Sequence, residues 1–297
     1  MINLADVEAA AKRIDGRIRR TPFVEAGADL WFKLEYLQHA GSFKTRGMFN
    51  QILAGDLPAA GIVAASGGNA GLAAAYAARE LGITAEVFVP VTAPPVKVAK
   101  LGRLGAHVVQ HGSEYAEAYA AAVVRAAETG AKFCHAYDDP AMVAGNGTIV
   151  GELPDFDTVL VAVGGGGLLA GVLAAAPDKK VVSVEPVTSC ALHTALEAGH
   201  PVDVPVSGVA ADSLGARRTG QIAFDLAVAR KIESVLVTDD AIVEARGRLW
   251  DDHRIVVEHG TAAAQAALVS GAYRPEPGER VVVLLCGANT NLVDLGV

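Results

Sequence analysis

The sequence predicts an α/β protein of two open lobes, each a mostly parallel twisted sheet with helices on both faces. Short apolar runs bounded by turn residues alternate with longer runs of helical periodicity from Ile62 almost to the end of the chain. That alternation is the sequence form of parallel strands joined by crossover helices. Glycine turns stand between such a strand and a helix twice, at Ser66–Gly71 and Gly164–Ala170. Hydrophobic residues make up 52% of the chain against 20% charged, with Ala and Gly throughout, which suits close-packed helices on buried sheets better than disorder or a coiled coil. A chain of 297 residues buries roughly three quarters of its unfolded surface, enough for one large or two medium domains.

Taken in order, Asn3 and Asp6 open a short amphipathic helix that runs to Ile14. Thr21-Pro22 breaks into an extended segment, Asp29 to Glu35, that delivers the chain to Lys44. After Lys44 an amphipathic run carries Met48, Phe49, Ile52 and Leu53 on one stripe and closes at Gly55. Strands are then expected at Ile62–Ala65, Ala85–Val89, Ala106–Val109 and Ala131–His135, with helices at Asn69–Leu81, Pro95–Leu104 and Ser113–Glu128 between them. A second set follows: a glycine-weakened helix Ala141–Leu153, strand Thr158–Val163, the Gly164–Gly167 turn with its helix, strand Lys180–Glu185 and helix Ser189–Ala198. His200–Gly215 lacks periodicity and reads as a loop over the site. Gln221–Ala229, Ser234–Val237, Asp240–Trp250, Gly260–Ser270 and Arg280–Leu285 complete the alternation. Without a repeat or charged linker, the expected organisation is a large domain of residues 1–47 and 140–297 with a small domain, 48–139, inserted in it.

Composition narrows the partners. A net charge of -8, with no basic cluster beyond pairs such as Arg19-Arg20, argues against a nucleic-acid partner. Cys134, Cys190 and Cys286 stand far apart with no Cys-x-x-Cys, so neither a disulfide framework nor a zinc cluster is expected, and a reducing cytoplasm fits. The first residues carry early acids and no signal-like apolar core. Val159–Ala176 is uncharged, but its four glycines split it into strand-sized and helix-sized halves, which reads as buried core and not as a membrane span.

Gly41-Ser42-Phe43-Lys44-Thr45-Arg46-Gly47 is where the chemistry is expected. Lys44 falls at a helix N-terminus, whose positive partial charge disfavours an ammonium, and partial burial behind Phe43 acts in the same direction. Both favour the neutral amine that a Schiff base needs. Gly164-Gly165-Gly166-Gly167-Leu168 follows a strand and opens a helix, so bare backbone N–H groups and the helix dipole can hold a phosphate. The same run contains Gly-x-Gly-x-x-Ala, and Glu185 ends the next strand, which also matches a dinucleotide fingerprint and an NAD oxidoreductase. Four consecutive glycines suit a bowl around one terminal phosphate better, and that rival leaves Lys44 without a role. The turn of Ser66, Gly67, Gly68, Asn69 and Ala70 offers free amides and a hydroxyl to a carboxylate. Cys286 stands at the C-terminal edge of a buried strand, where ligands of open α/β sheets collect.

These stretches, with Lys33-x-Glu35 ahead of Lys44 and Val184-Glu185-Pro186 and Cys286-Gly-Ala-Asn289 behind it, resemble the fold type II pyridoxal-phosphate enzymes over nearly the whole chain. The resemblance is strongest to the serine and threonine dehydratases, and it implies the tryptophan synthase β-like fold. It further implies pyridoxal 5'-phosphate linked to Lys44, packed on Phe43, met by Asn69 at its ring hydroxyl and by Cys286 at its ring nitrogen, and held at its phosphate by Gly164 to Leu168. L-serine or L-threonine would lie with its carboxylate on Ser66 to Ala70, with Lys44 and Ser66 as the catalytic candidates and Glu185 near the hydroxyl or, equally, a strand-end cap. The expected products are a 2-keto acid and ammonia. A homodimer and a supporting monovalent or divalent cation are expected from the resemblance alone, because acids such as Glu258 and Asp212 show no ligand spacing. A serine racemase, another β-hydroxy amino acid lyase and a cofactor-binding protein without turnover are the alternatives. Related racemases carry a serine two positions before the asparagine, where this chain has Gly67.

Overall fold

The computed structural model describes residues 1–57 and 59–291. Helix α1 (Leu4–Ile14) starts on a capping box: the Asn3 side chain accepts from the N–H groups of Ala5 and Asp6, and the Asp6 carboxylate accepts from Asn3 N–H. Strands β1 (Phe23–Gly27) and β2 (Leu30–Lys33) form an antiparallel hairpin. The sequence pattern shows only the second, because β1 is an edge strand whose residues are nearly all exposed and leave no burial alternation to read. Helix α2 (Lys44–Leu53) begins at the lysine, as expected.

Strand β3 (Ile62–Ala65), α3 (Asn69–Leu81), β4 (Ala85–Val89), α4 (Pro95–Arg103), β5 (His107–Gln110), α5 (Tyr115–Thr129) and β6 (Lys132–Cys134) follow. Helix α6 (Pro140–Gly147) was expected to continue to Leu153, but it tightens into a 3-10 turn over Thr148–Glu152, where the Thr148 hydroxyl donates to Gly145 O at 2.7 Å. The chain continues with β7 (Thr158–Ala162), α7 (Gly167–Ala175), β8 (Lys180–Pro186), α8 (Ala191–Ala198), α9 (Ala211–Leu214), α10 (Gln221–Arg230), β9 (Glu233–Val237), α11 (Asp239–His253), α12 (His259–Val269) and β10 (Val281–Leu284). The short α9 interrupts the segment expected to be loop throughout.

Two sheets result, ordered β1-β2-β10-β7-β8-β9 and β5-β4-β3-β6. All pairings except β1 with β2 are parallel. Successive residues serve opposite cores: Leu160 and Val283 belong to one apolar cluster, Val161 and Val282 to the other. In the smaller sheet Ile62 and Ala64 face one cluster, Val63 and Ala65 the next. Helices therefore cover both faces of each sheet, which explains strands that are apolar at every position.

The two sheets share one winding. From β7 the chain steps outward to β8 and β9, then returns to place β10 on the other side of β7. From β3 it steps outward to β4 and β5, then returns to place β6 on the other side of β3. Each sheet thus has one topological switch point, where connections diverge at the carboxyl ends of adjacent strands and leave a crevice.

Candidate active site

Three expected site elements, and one that was not expected, His135–Ala136, occupy these two crevices. The Gly164–Gly167 run leaves β7 and Cys286 follows β10, while Ser66–Asn69 leaves β3 and His135–Ala136 follows β6. Lys44 joins them. Its Nζ donates to Ala136 O at 2.6 Å and lies 5.0 Å from the centre of the Phe43 ring. The lysine is held from the other sheet as well, because Phe43 N–H donates to Cys286 O at 2.9 Å and Ser42 bridges Gly287. Burial pulls the Lys44 ammonium down to about 8, against the upward pull of Cys286 and Glu258.

The glycine run forms a bowl of donors. The N–H groups of Gly164 to Leu168 donate to no acceptor among the described residues, and they precede or open α7. Gly166 has φ +88, a left-handed backbone that disfavours other residues. Behind Gly165 lies the Tyr137 ring, so close that a β-carbon there would overlap it. Thr219, which leads into α10, is buried, and its hydroxyl has no partner among the described residues. That hydroxyl would lie 3.2 Å from a β-carbon on Gly166.

At the opposite end the side chains form a chain of hydrogen bonds. Asn289 Nδ2 donates to Ala40 O and to Asn69 Oδ1, both at 2.7 Å, and Asn69 Nδ2 donates to Glu258 Oε1 at 2.7 Å. One Asn69 amide hydrogen remains for a ligand. Burial pushes the Glu258 carboxyl up to about 7, against the Asn69 hydrogen bond. Thr261 Oγ1 lies 3.2 Å from Cys286 Sγ while donating to Gly287 O at 2.9 Å, so its own hydrogen is committed and the thiol is left as the donor. Burial, with Glu258 beside it, pushes this thiol up to about 12 and keeps it neutral.

A cleft of about 820 Å³ opens beside this chain, lined by Gly67, Gly68, Asn69, Lys97, Asp212 and Glu258 among others. Lys97 of α4 and Asp212 of α9 form an ion pair across it. Ser66 is partly turned inward on its own loop, its Oγ accepting from Gly68 N–H at 3.2 Å, and Ala70 is buried in α3. Glu185, expected near a substrate hydroxyl or as a cap, is fully buried at the end of β8. Its oxygens accept from Leu192 N–H at 2.9 Å and His193 N–H at 2.7 Å, so it caps α8 and does not line the cleft. Sequence reading missed Ala136 O, Tyr137, Thr219 and Thr261, and assigned Glu258 no place in the site. Only Thr219-Gly220, small residues ahead of an amphipathic run, carried a local signal. No group of three His, Cys, Asp or Glu able to hold a metal occurs among the described residues.

A family model described as pyridoxal-phosphate dependent enzyme matches residues 14–287. The chain is 35% identical to an L-threonine ammonia-lyase of Geobacter sulfurreducens, over 98% of this chain and 76% of that one. It is 37% identical to a phenylserine dehydratase of Ralstonia pickettii, over 97% and 94%. The structure of maize serine racemase superposes with a TM-score of 0.93 at 28% identity, over 99% and 96% of the two chains. This chain belongs to the pyridoxal-phosphate dependent enzyme family and has its fold type II architecture. The residues present fit that cofactor: the free N–H groups of Gly164 to Leu168 and the unpartnered Thr219 hydroxyl match a phosphate, and Lys44 is an amine of lowered pKa in the same crevice.

Proposed function

We propose that the protein is a lyase that eliminates water from L-serine or L-threonine, the released enamine then taking up water to give a 2-keto acid and ammonia, with Lys44 as the residue that binds the cofactor and moves the substrate's α-proton. The observation that carries this reading is the position of Lys44, a half-buried amine shared by the switch points of both sheets. Relatives named ammonia-lyase and dehydratase, each matched over nearly all of this chain, support the reaction class. When bound, pyridoxal phosphate supplies the electron sink that makes an amino acid's α-proton removable.

The chain's own residues divide the remaining work. Gly164 to Leu168 and Thr219 would hold the phosphate, and Phe43 and Asn69 would orient the ring. The Cys286 thiol, kept neutral by burial, would stand at the ring nitrogen and would supply no charge to it, which would favour expulsion of the β-hydroxyl over return of the proton. Ser66 to Ala70 are assigned the substrate carboxylate, with Gly67, Gly68 and Asn69 facing the cleft. Lys44, neutral in a large fraction near pH 8, takes the α-proton. A racemase needs a second proton donor across the substrate from Lys44. Gly67, at the position where related racemases carry a serine, has no side chain to provide one, while the neighbouring Ser66 hydroxyl accepts from Gly68 N–H and keeps its own hydrogen, so the D-form assay below decides between the two reactions.

Residues 1–47 with 140–297 are read as the large cofactor domain and 48–139 as the small inserted one, which the separate six- and four-stranded sheets support. A homodimer in the cytoplasm completes the reading, supported by the family and by three free cysteines. No helix among the described residues is long and apolar enough to cross a membrane.

The test is an absorbance spectrum of protein loaded with pyridoxal phosphate, borohydride trapping with peptide mapping, and keto-acid assay with L-serine, L-threonine and their D-forms. Trapping on Lys44, keto acid from the L-forms and a loss of about a thousandfold in Lys44→Ala are expected. Trapping on another lysine, or racemisation without keto acid, overturns the reading.

A further inference from the structure

The motif that precedes Lys44 by sequence, Lys33-x-Glu35, and the Arg46 that follows it have no role in the chemistry above, yet the fold gathers them into one buried ion network. Arg46, Lys33 and Glu35 have no exposed surface. Arg46 Nη2 donates to Glu35 Oε2 at 3.1 Å and to Glu152 Oε2 at 2.8 Å, its Nη1 lies 2.8 Å from Glu152 Oε1, and its Nε donates to Glu35 Oε1. Lys33 Nζ donates to the same Glu152 at 2.6 Å and to Thr21 O, and Thr21 Oγ1 donates to Glu35 Oε2 at 2.7 Å. The guanidinium is therefore gripped by two carboxylates from opposite sides of its fork, with the charges of the four side chains balanced.

Such a network is a poor source of stability, because the cost of burying the charges roughly cancels their attraction and well-packed apolar residues do as well. Directional hydrogen bonds can fix an orientation that apolar contacts leave loose. The α-helix turns about 100° per residue, so Arg46 leaves α2 roughly 200° away from Lys44. Holding one side chain sets the direction of the other. The carboxylates that hold Arg46 are themselves fixed to the frame of the site. Glu35 follows β2, whose Lys33 O accepts from Leu285 N–H at 2.9 Å, and Tyr36 N–H donates to Leu285 O at 2.9 Å, one residue before Cys286. Glu152 ends the turn that follows α6, and α6 begins five residues after His135.

We propose that Arg46 is the positioning residue of Lys44: clamped between Glu35 and Glu152, it sets the rotation of α2 so that the lysine amine points into the crevice between the two sheets. Lys44 has no side-chain cap at its helix end to do this. Lysine cannot replace Arg46 in the role, because an ammonium lacks the planar fork that meets two carboxylates at once.

The proposal rests on the reading of Lys44 as the cofactor lysine, and the experiment separates the two. Full-length apo-protein is mixed with pyridoxal phosphate, and the second-order rate of capture is followed by absorbance across pH 6 to 10, with borohydride trapping and a thermal midpoint for each variant. Arg46→Lys is expected to trap on Lys44 but about 100-fold more slowly near pH 8, the scale on which a displacement of about an ångström acts. Its capture profile is expected to move to higher pH as the amine leaves its seat against Ala136 O and becomes more solvated. Cys286, Glu258 and His135 face Lys44 from the ends of β10, the turn before α12 and β6, and are unchanged in the variant. Ile52→Val, at a buried position of the same helix, is the comparison that loosens α2 without touching the network. Equal capture rates and pH profiles in the two variants would show that Arg46 only stabilises the fold, and overturn the proposal. If Arg46→Lys does not fold, Glu35→Asp, which shortens one jaw of the clamp, is read by the same criteria. Trapping on a different lysine in the unmutated protein defeats the functional reading itself, before any variant is compared.

Discussion

The two sheets wind in the same order, and each sends a glycine turn from its switch-point strand into a helix, yet the two turns are built for different ends. Gly164–Gly167 is backed on all sides: a β-carbon on Gly165 would overlap the Tyr137 ring, one on Gly167 would lie 2.7 Å from Tyr137 O, and one on Gly164 would lie 3.1 Å from Leu214 Cα. Gly67 and Gly68 have room, with nearest contacts at 3.5 Å to Val89 Cγ1 and 3.9 Å to Asp212 O. One turn is a rigid bowl shaped for a fixed group, the other an open rim facing the cleft. A strand–glycine–helix sequence thus supplies free amides in both places, and the packing behind it decides whether the site is closed or adaptable.

Substitutions at matched positions test that contrast most directly. Gly165→Ala is expected to weaken pyridoxal-phosphate binding by about 100-fold, since overpacking of this kind costs up to about 3 kcal/mol. Gly67→Ala, which meets only ordinary contacts, is expected to stay within about threefold of the parent affinity, near the scale of a neutral surface change. A cofactor titration monitored by absorbance compares them, and equal losses would remove the distinction.

The rim also carries the titrating group. Glu258, with its carboxyl raised to about 7 by burial, binds a proton more tightly folded than unfolded, so its contribution to stability is complete below the unfolded value of 4.5 and is lost as pH rises through 7. Glu258→Gln is expected to flatten this part of the pH profile, by up to about 3 kcal/mol between pH 4.5 and 8. Denaturant titrations of the apo-protein at several pH values measure it, and an unchanged profile would place the charge elsewhere.

At the centre, Lys44 is expected to make cofactor capture rise with pH through about 8, because only the neutral amine attacks a carbonyl and burial favours that form. A rise centred instead near 10.5, the ordinary lysine value, would mean the amine is not desolvated. The smallest effect is expected from Asp212→Asn, which breaks the bridge to Lys97. Asp212 is 64% exposed at its side chain, and such pairs contribute below about 1 kcal/mol. A thermal midpoint that moves by little, and moves less still in high salt, would agree.

Much of this was legible because the signals are local. Lys44 at a helix start, Gly164 to Leu168 between strand and helix, and strands apolar at every position all follow from periodicity and turn chemistry within about a dozen residues. Edge strand β1 was not legible, since an exposed strand has no apolar alternation. The end of α6 was missed because its tightening depends on the Thr148 hydroxyl reaching back to Gly145. Glu185 could be read as a ligand or a cap from sequence, and the choice fell to α8, whose first turn takes up both oxygens.

By itself, then, the sequence determined which residues could form strands, helices and anion-binding turns, and placed Lys44 at the start of one of those helices. Tertiary structure alone decided what those residues face. Asn69 meets Glu258 across 189 positions, Lys44 meets Ala136 O across 92, and Arg46 meets Glu152 across 106. None of these separations leaves a period or a spacing in the chain, because each contact is set by how helices and turns from distant parts of the chain pack together, and not by any interaction between sequence neighbours.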